Sequence, residues 1–201
     1  MFYEPSSGHG LPHDPLKAIV APRPVGWIST ISRTGSYNLA PYSFFNMLSG
    51  VPPLVWFSSE GPKDSATAAE ETGEFVANLV GRDLAQKMNA TSVDAPRGVS
   101  EFDYAGLETA PSRLVRPPRV ADAPAALECK VTEVIRPRDL EGKTGRSIVV
   151  IGQVMGVYIS DEYLTDGLFD AVKAGNVSRL GYFDFSTVDG VFEMRRPRWE
   201  D

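Results

Sequence analysis

Short apolar runs separated by glycine and proline constrain this chain more than any other feature of its sequence. The 201 residues include 18 Gly and 16 Pro, and the longest uninterrupted aliphatic run is Ile148–Ile151. Runs this short, bounded by turn-forming residues, favour many strands over a helical bundle. They are also far too short to span a bilayer. The sequence therefore predicts a mainly β fold, a β-barrel with peripheral helices, and no membrane partner.

Composition and charge exclude several classes of protein. Hydrophobic residues make up 42% of the chain and charged residues 23%, which is typical of a globular protein and excludes wholesale disorder. The formal net charge of -6 argues against nucleic-acid binding, which usually needs a basic surplus. The first residues, Met1–Pro5, lack the charged start and apolar stretch of a signal peptide. We therefore expect a cytoplasmic protein.

Cysteine and histidine are too few for most catalytic or metal sites. The single Cys129 excludes an intrachain disulfide and a zinc site built on several cysteines, and its place within an alternating strand predicts a small core residue. The two histidines, His9 and His13, are separated by Gly10 and Pro12, so no helix presents both. They are predicted to be solvated loop side chains, and no metal site is expected.

Alternation of residue type predicts the main strands. Val25–Ile31 alternates with a period of two, and Asn38–Asn46 is predicted to be the strand that returns beside it. Pro41 has no N–H to donate, so that second strand should lie at a sheet edge or be bulged or broken there. Two long strands are predicted over Ala126–Ile135 and Ser147–Ile159. In all we expect six to eight strands with two or three short helices.

No repeat, low-complexity tract or linker divides the chain, so residues 1–201 are predicted to form one domain. Residues 1–14 are expected to form an N-terminal arm and residues 195–201 a C-terminal tail. The basic and aromatic residues Arg195–Trp199 could serve a non-enzymatic module as a docking tail, although a frayed, solvated terminus explains them more simply.

One segment has the groups that bind phosphate. Ser58, Ser59 and Ser65 supply hydroxyls, Lys63 supplies a cation, and the predicted helix that starts nearby supplies free backbone N–H groups. Asp64, the predicted N-cap of that helix, counts against a phosphate at the cap itself. On spacing alone, an ordinary capped helix is the simpler interpretation.

A second segment, Asn38–Asn46, mixes aromatic with small and polar residues. A strand interrupted by Pro41 would offer an apolar face and free backbone groups, which is what a flat heteroaromatic ring needs. From spacing alone, an edge strand with a bulge explains the segment more simply.

Taken together, these segments resemble the flavin reductase-like family of FMN-binding split barrels, over roughly residues 15 to 185. The resemblance rests on the number and order of short pieces, which are Arg23–Thr30, Gly35–Asn46, Pro52–Val55, Lys63–Ser65, Glu74–Asn78 and Ser178–Gly181.

This resemblance implies a split barrel, a homodimer, FMN near the subunit interface, and electron transfer between NADH or NADPH and the flavin, often for a partner oxygenase. By position, the residues implied to line the isoalloxazine ring are Asn38, Leu39, Ala40, Pro41, Tyr42 and Ser43. Those implied to bind the phosphate and ribityl chain are Thr30, Ser58, Ser59, Lys63 and Ser65. Arg179 falls near the flavin or the nicotinamide entrance, with a surface salt bridge as the equal alternative.

The chain also departs from the family pattern. Many flavin reductases of this fold carry a histidine in the C-terminal half, whereas both histidines here lie within the first fifteen residues. This puts nicotinamide use in question more than FMN binding. The sequence therefore predicts an FMN-dependent NAD(P)H oxidoreductase. The alternative is an FMN-binding electron carrier, or an oxidase of a small organic substrate, without efficient nicotinamide use.

Overall fold

The computed structural model describes residues 1–96 and 99–199 and is mainly β. Seven antiparallel strands form the main sheet, in the order β3-β2-β6-β9-β10-β5-β4. Their bounds are Gly26–Ile31 (β2), Tyr37–Tyr42 (β3), Phe45–Gly50 (β4), Pro53–Glu60 (β5), Glu74–Leu79 (β6), Ala125–Ile135 (β9) and Ser147–Ile159 (β10).

Smaller elements lie around this sheet. The short strands are Arg23–Pro24 (β1), Thr109–Ala110 (β7), Arg119–Val120 (β8), Leu164–Thr165 (β11), Leu168–Phe169 (β12), Val177–Arg179 (β13) and Phe185–Thr187 (β14). The α-helices are Leu16–Ile19 (α1), Asp64–Thr72 (α2), Ala85–Ala90 (α3), Glu101–Tyr104 (α4) and Ala171–Ala174 (α5), with 3-10 turns at Pro5–Ser7, Arg82–Leu84 and Asp161–Tyr163. Every helix in the described part of the chain is too short or too polar to cross a membrane.

The sheet curls because its two edge strands follow each other in the chain. β3 and β4 lie at opposite edges, yet only Ser43 and Phe44 separate them. The Ser58 N–H donates to the Phe44 carbonyl at 2.8 Å, which fixes this connection to the other end of the sheet. The described strands form no ladder between β3 and β4. The barrel therefore stays split, as predicted, and one edge of β3 is left free of strand partners.

The two faces of the curled sheet bury separate clusters. The interior contains Tyr42, Phe57 and Phe75, and the Phe57 and Phe75 rings meet edge to face with centroids 5.3 Å apart. Outside, Trp27 and Leu39 pack beneath the α3 and α4 segments. Alternation along β2 and β3 produces this division, because successive side chains of a strand point to opposite faces.

Several predictions from the sequence are confirmed. The two long strands occur as β9 and β10, and β3 is an edge strand. Helix α2 ends at Gly73, whose φ of 74° is left-handed. Cys129 is fully buried in the barrel interior, and that burial raises the pKa of its thiol.

Two local predictions were wrong. The predicted strand Asn38–Asn46 is two strands, because the chain leaves the sheet at Ser43 and Phe44 and not at Pro41, which stays paired opposite Trp27. Asp64 is not the N-cap: Lys63 occupies that position, and Asp64 is the first helical residue with no capping side-chain bond. Residues 200 and 201 of the predicted tail lie outside the described residues.

Glycine at position 152 is required by the barrel interior. A Cβ atom there would lie 2.4 Å from the Phe75 ring and 3.2 Å from the Cys129 Cβ, and the register with β9 shifts at this point. Gly152→Ala is therefore expected to lower the free energy of unfolding by about 1–3 kcal/mol, because the buried Phe75 ring must move. Urea denaturation measures this.

Gly145→Ala is the matched control, since a Cβ there meets nothing closer than 3.9 Å. If both variants unfolded at the same urea concentration as the parent protein, that result would contradict the close packing of Phe75 against β10.

Candidate functional site

At Leu39 and Pro41 the free edge of β3 has no outward N–H group left to donate. The Leu39 N–H donates to the Glu101 carboxylate at 2.9 Å, and Pro41, two residues on, has no N–H. Because the N–H and C=O of one strand residue point the same way, the carbonyls of Leu39 and Pro41 face away from β2. This part of the edge therefore offers acceptors to a ligand rather than donors.

Beside this edge lies a cavity of about 220 Å³, which we call the α2 cavity. It is formed by β3, by the first residues of α2 with Lys63, by the loop after α3, and by Glu101. The side-chain amide of Asn38 donates to the Ser65 hydroxyl at 2.7 Å and ties the strand to the helix. The residues that line the α2 cavity are Asn38, Ala40, Pro41, Tyr42, Lys63, Asp64, Ser65, Thr91, Ser92, Val93, Asp94, Ala95 and Glu101.

The α2 cavity contains one cationic side chain and the positive end of a helix. The first N–H groups of α2 have no partner within the helix, and the helix dipole adds partial positive charge there. Lys63 pairs with Asp94 at 3.3 Å in an exposed ion pair. Such a pair is weak, so the ammonium can turn towards an anion in the cavity at small cost. Asp64 and Glu101 supply opposing negative charge.

Burial changes the acid–base behaviour of two groups here. Tyr42 is 8% exposed, and burial raises the pKa of its phenol, an effect that the hydroxyls of Ser65 and Ser59 partly offset. Burial likewise raises the pKa of the Glu101 carboxyl, whose bond from the Leu39 N–H acts in the opposite direction. Tyr42 is thus a neutral phenol, while Glu101 is poised to gain a proton more readily than an exposed carboxyl.

A second cavity of about 230 Å³, which we call the arginine cavity, borders the first, since Pro41 and Ser92 line both. It lies where the small β1-β13-β14 sheet meets the end of β3. Its lining residues are Lys17, Arg23, Val25, Pro41, Ser43, Met88, Asn89, Ser92, Arg179, Leu180, Tyr182 and Phe185. The two cavities thus lie side by side along β3, and together we call them the cleft.

The structure brings most of the predicted binding residues to this cleft. Lining the α2 cavity are Asn38, Ala40, Pro41, Tyr42, Lys63 and Ser65, and lining the arginine cavity are Pro41, Ser43 and Arg179. The two segments singled out in the sequence therefore share one cleft.

Four predicted residues lie elsewhere. Thr30 is fully buried beneath Asn38, whose amide is 3.5 Å from its hydroxyl, and the Leu39 side chain is fully buried in the outer cluster. The buried Ser59 hydroxyl donates to the Gly61 carbonyl at 2.9 Å, and half-buried Ser58 lies on β5. The side chains of these four do not line either cavity.

Several lining residues were missed by reading the sequence. Glu101 and the loop 91–95 come from a stretch without a periodic pattern, and Arg23 contributed only to the family resemblance, through Arg23–Thr30. His13, predicted to be solvated, is exposed, but its ring lies 5.8 Å from that of Tyr182. The N-terminal arm therefore reaches the rim of the arginine cavity.

Comparisons with known proteins agree with this architecture. Residues 20–177 match the model of the flavin reductase like domain. A protein of Halalkalibacterium halodurans is 36% identical over 189 residues, covering 90% of this chain and 89% of the relative.

Two solved structures are similar over nearly the whole chain. Nitrilotriacetate monooxygenase component B from Bacillus cereus has a TM-score of 0.89 at 26% identity, covering 96% of this chain and 98% of that one. The 2-nitrobenzoate 2-nitroreductase of Pseudomonas fluorescens has a TM-score of 0.81 at 26% identity, covering 92% and 89%.

The raised pKa of Glu101 generates a prediction. In the folded protein Glu101 keeps its proton at pH values where the unfolded chain, with a pKa near 4.5, has lost it. This group's contribution to stability therefore falls as pH rises through that window. Glu101→Gln can still accept from Leu39 but does not titrate, so its stability relative to the wild type should increase between about pH 4 and pH 7.

Urea denaturation at both pH values measures this, with the exposed Glu141→Gln as the control. A difference between Glu101→Gln and wild type that does not change with pH would contradict the buried carboxylate at the β3 edge.

Proposed function

Because this chain belongs to the flavin reductase-like family, we propose that it is an FMN-binding oxidoreductase that accepts hydride from NADH or NADPH. The observation that carries the proposal is the single cleft in which the β3 edge and the start of α2 face the same space. A flavin nucleotide has a flat polar ring and a phosphate joined by a flexible chain. The two ends of such a molecule need the two kinds of surface that meet here.

The α2 cavity fits the phosphate end. Lys63 would supply the cation, the Ser65 hydroxyl a hydrogen bond, and the first N–H groups of α2 the donors that phosphate takes at a helix N-terminus. The Asn38 amide, which already bonds the Ser65 hydroxyl, holds that hydroxyl in place. Asp64 and Glu101 limit how tightly a dianion binds, so we expect moderate rather than very tight affinity.

The β3 edge fits the ring. Ala40 and Pro41 give a small, flat apolar wall, and the outward carbonyls of Leu39 and Pro41 are acceptors for an N–H of the ring edge. FMN, when bound, would accept a hydride at N5 and pass the electrons on. The chain's own task is to hold the ring against β3 and to exclude water, and the Glu101–Leu39 bond keeps the edge in place for it.

We further propose a homodimer and a partner oxygenase that receives the electrons. Large apolar side chains at and just after the β4 edge are exposed, with Met47 at 62%, Leu48 at 53% and Val51 at 94%. A second copy of the chain would cover them. The oxygenase is supported by the structural similarity to component B of a nitrilotriacetate monooxygenase.

Removing the cation of the α2 cavity tests the placement of the phosphate. Lys63→Ala should weaken FMN binding about tenfold, the usual value of one charge-assisted hydrogen bond, and should leave riboflavin binding unchanged because riboflavin has no phosphate. Quenching of flavin fluorescence during titration measures both affinities.

Lys143→Ala, on an exposed turn far along the chain, is the matched control. Equal losses of FMN and riboflavin affinity in Lys63→Ala would show that Lys63 does not meet the phosphate.

Nicotinamide use is tested by rapid mixing of the FMN-loaded protein with NADH and with NADPH. We expect one of them to bleach the visible absorbance of the flavin within the time of catalytic turnover. Slow bleaching by both, in a protein that holds one FMN per chain, would instead favour an electron carrier or an oxidase.

A further inference from the structure

Two arginines stand side by side in the arginine cavity without a carboxylate partner. Arg23 on β1 and Arg179 on β13 are register partners in the small antiparallel sheet. Within residues 1–96 and 99–199, neither of them forms an ion pair. The positive charges of both guanidinium groups therefore remain uncompensated by any described side chain.

Arg23 is held in place entirely by neutral groups. It is 8% exposed, and its terminal nitrogens donate to the backbone carbonyls of Lys17, Val20 and Leu180, the last at 2.6 Å. Its Nε is buried without a hydrogen-bond partner. The backbone thus orients the guanidinium but leaves one donor unused.

This arrangement is costly without an anion. Burial lowers the pKa of Arg23, and the neighbouring charge of Arg179 lowers it further. Arg179 donates to the Tyr182 carbonyl, again a neutral acceptor, and its Cζ lies 4.5 Å from the centroid of the Phe185 ring. Two like charges in a partly desolvated site are stabilised most effectively by a ligand of opposite sign.

The other residues that line the arginine cavity also favour a ligand of negative charge. Lys17 adds a third cation, which contacts Glu60 at 3.9 Å only across exposed surface, and no acidic side chain lines the arginine cavity among the described residues. The α2 cavity at the other end of the cleft is lined by three carboxylates and one lysine. The two ends of the cleft are therefore opposite in charge.

We propose that the arginine cavity binds the oxyanion of the second ligand, the molecule that exchanges electrons with the flavin. Its identity as a redox partner rests on the proposed function, whereas binding of an oxyanion does not. A carboxylate or a phosphate oxygen pair matches the planar donors of arginine. Tyr182 and Phe185 supply aromatic surface next to it, so the ligand is an aromatic or heteroaromatic compound carrying that anion.

The position suits a second ligand rather than FMN itself. Pro41 and Ser92 border both cavities, so a ring that enters from the arginine cavity meets the β3 wall beside the flavin. Two sources of the oxyanion are consistent with this chemistry, the diphosphate of a nicotinamide dinucleotide and the carboxylate of an aromatic acid.

Calorimetric titration of the full chain with inorganic pyrophosphate and with benzoate, before and after FMN is added, tests the proposal. We expect wild type to bind at least one probe at millimolar concentration and Arg179→Gln to bind it about tenfold more weakly. The preferred probe identifies the source. Arg195→Gln, which removes an equal charge from the exposed tail, should bind like wild type.

Lys17→Gln is the second variant, because its side chain is 60% exposed and its loss should not affect folding. Lys17→Gln is expected to lower the affinity for the probe several-fold, and it provides the test if Arg179→Gln does not fold. The proposal would be overturned if neither pyrophosphate nor benzoate bound to wild type. It would also be overturned if a probe bound equally to wild type, to Arg179→Gln and to Lys17→Gln.

Loss of FMN binding in Arg179→Gln, with Lys63→Ala unaffected, would overturn it too, since the cavity would then hold the cofactor's phosphate. If pyrophosphate binding depended on Arg179 in a chain that binds no FMN, only the proposed function would fail.

Discussion

The unpaired edge of β3 is the constraint on which the rest of the molecule depends. An exposed edge is protected where its outward N–H groups are satisfied or removed, and beside the cleft this chain does so with the Glu101 carboxylate at Leu39 and with Pro41. Both solutions leave the adjacent space open, because neither covers the edge with another strand. The cleft exists because only Ser43 and Phe44 connect β3 to β4, and the described strands form no ladder between the two.

The two ends of this cleft are opposite in charge because different elements of the fold reach them. The α2 end receives acidic residues from a helix and a loop, whereas the other end receives Arg23 and Arg179 from paired short strands. Backbone carbonyls, and not carboxylates, hold Arg23, so its charge remains available to a ligand. In the proposed enzyme the flavin phosphate would depend on Lys63, the Ser65 hydroxyl and the first N–H groups of α2, whereas the arginines would bind the oxyanion of the second ligand. The orientation of both rings against β3 would then be fixed from opposite sides.

The local pattern of residue types was enough to predict the strands that depend on alternation alone. Alternation located β2 and the two long strands β9 and β10. The break at Ser43 was not predictable in this way, because the only local signal for a break was Pro41, two residues earlier, where an edge strand tolerates it. The cleft residue Glu101 was missed since its partner lies 62 residues away, a contact that only the folded chain creates. Arg23 was missed for the same reason, because the anion-binding role proposed for it depends on Arg179, which only the folded chain brings next to it.

A crystal structure of this protein with FMN bound would test where the cofactor lies. We expect the phosphate next to Lys63 and the first turn of α2, and the ring along Ala40 and Pro41 with its polar edge towards the β3 carbonyls. A flavin bound away from β3, or one whose phosphate lies between Arg23 and Arg179, would contradict it.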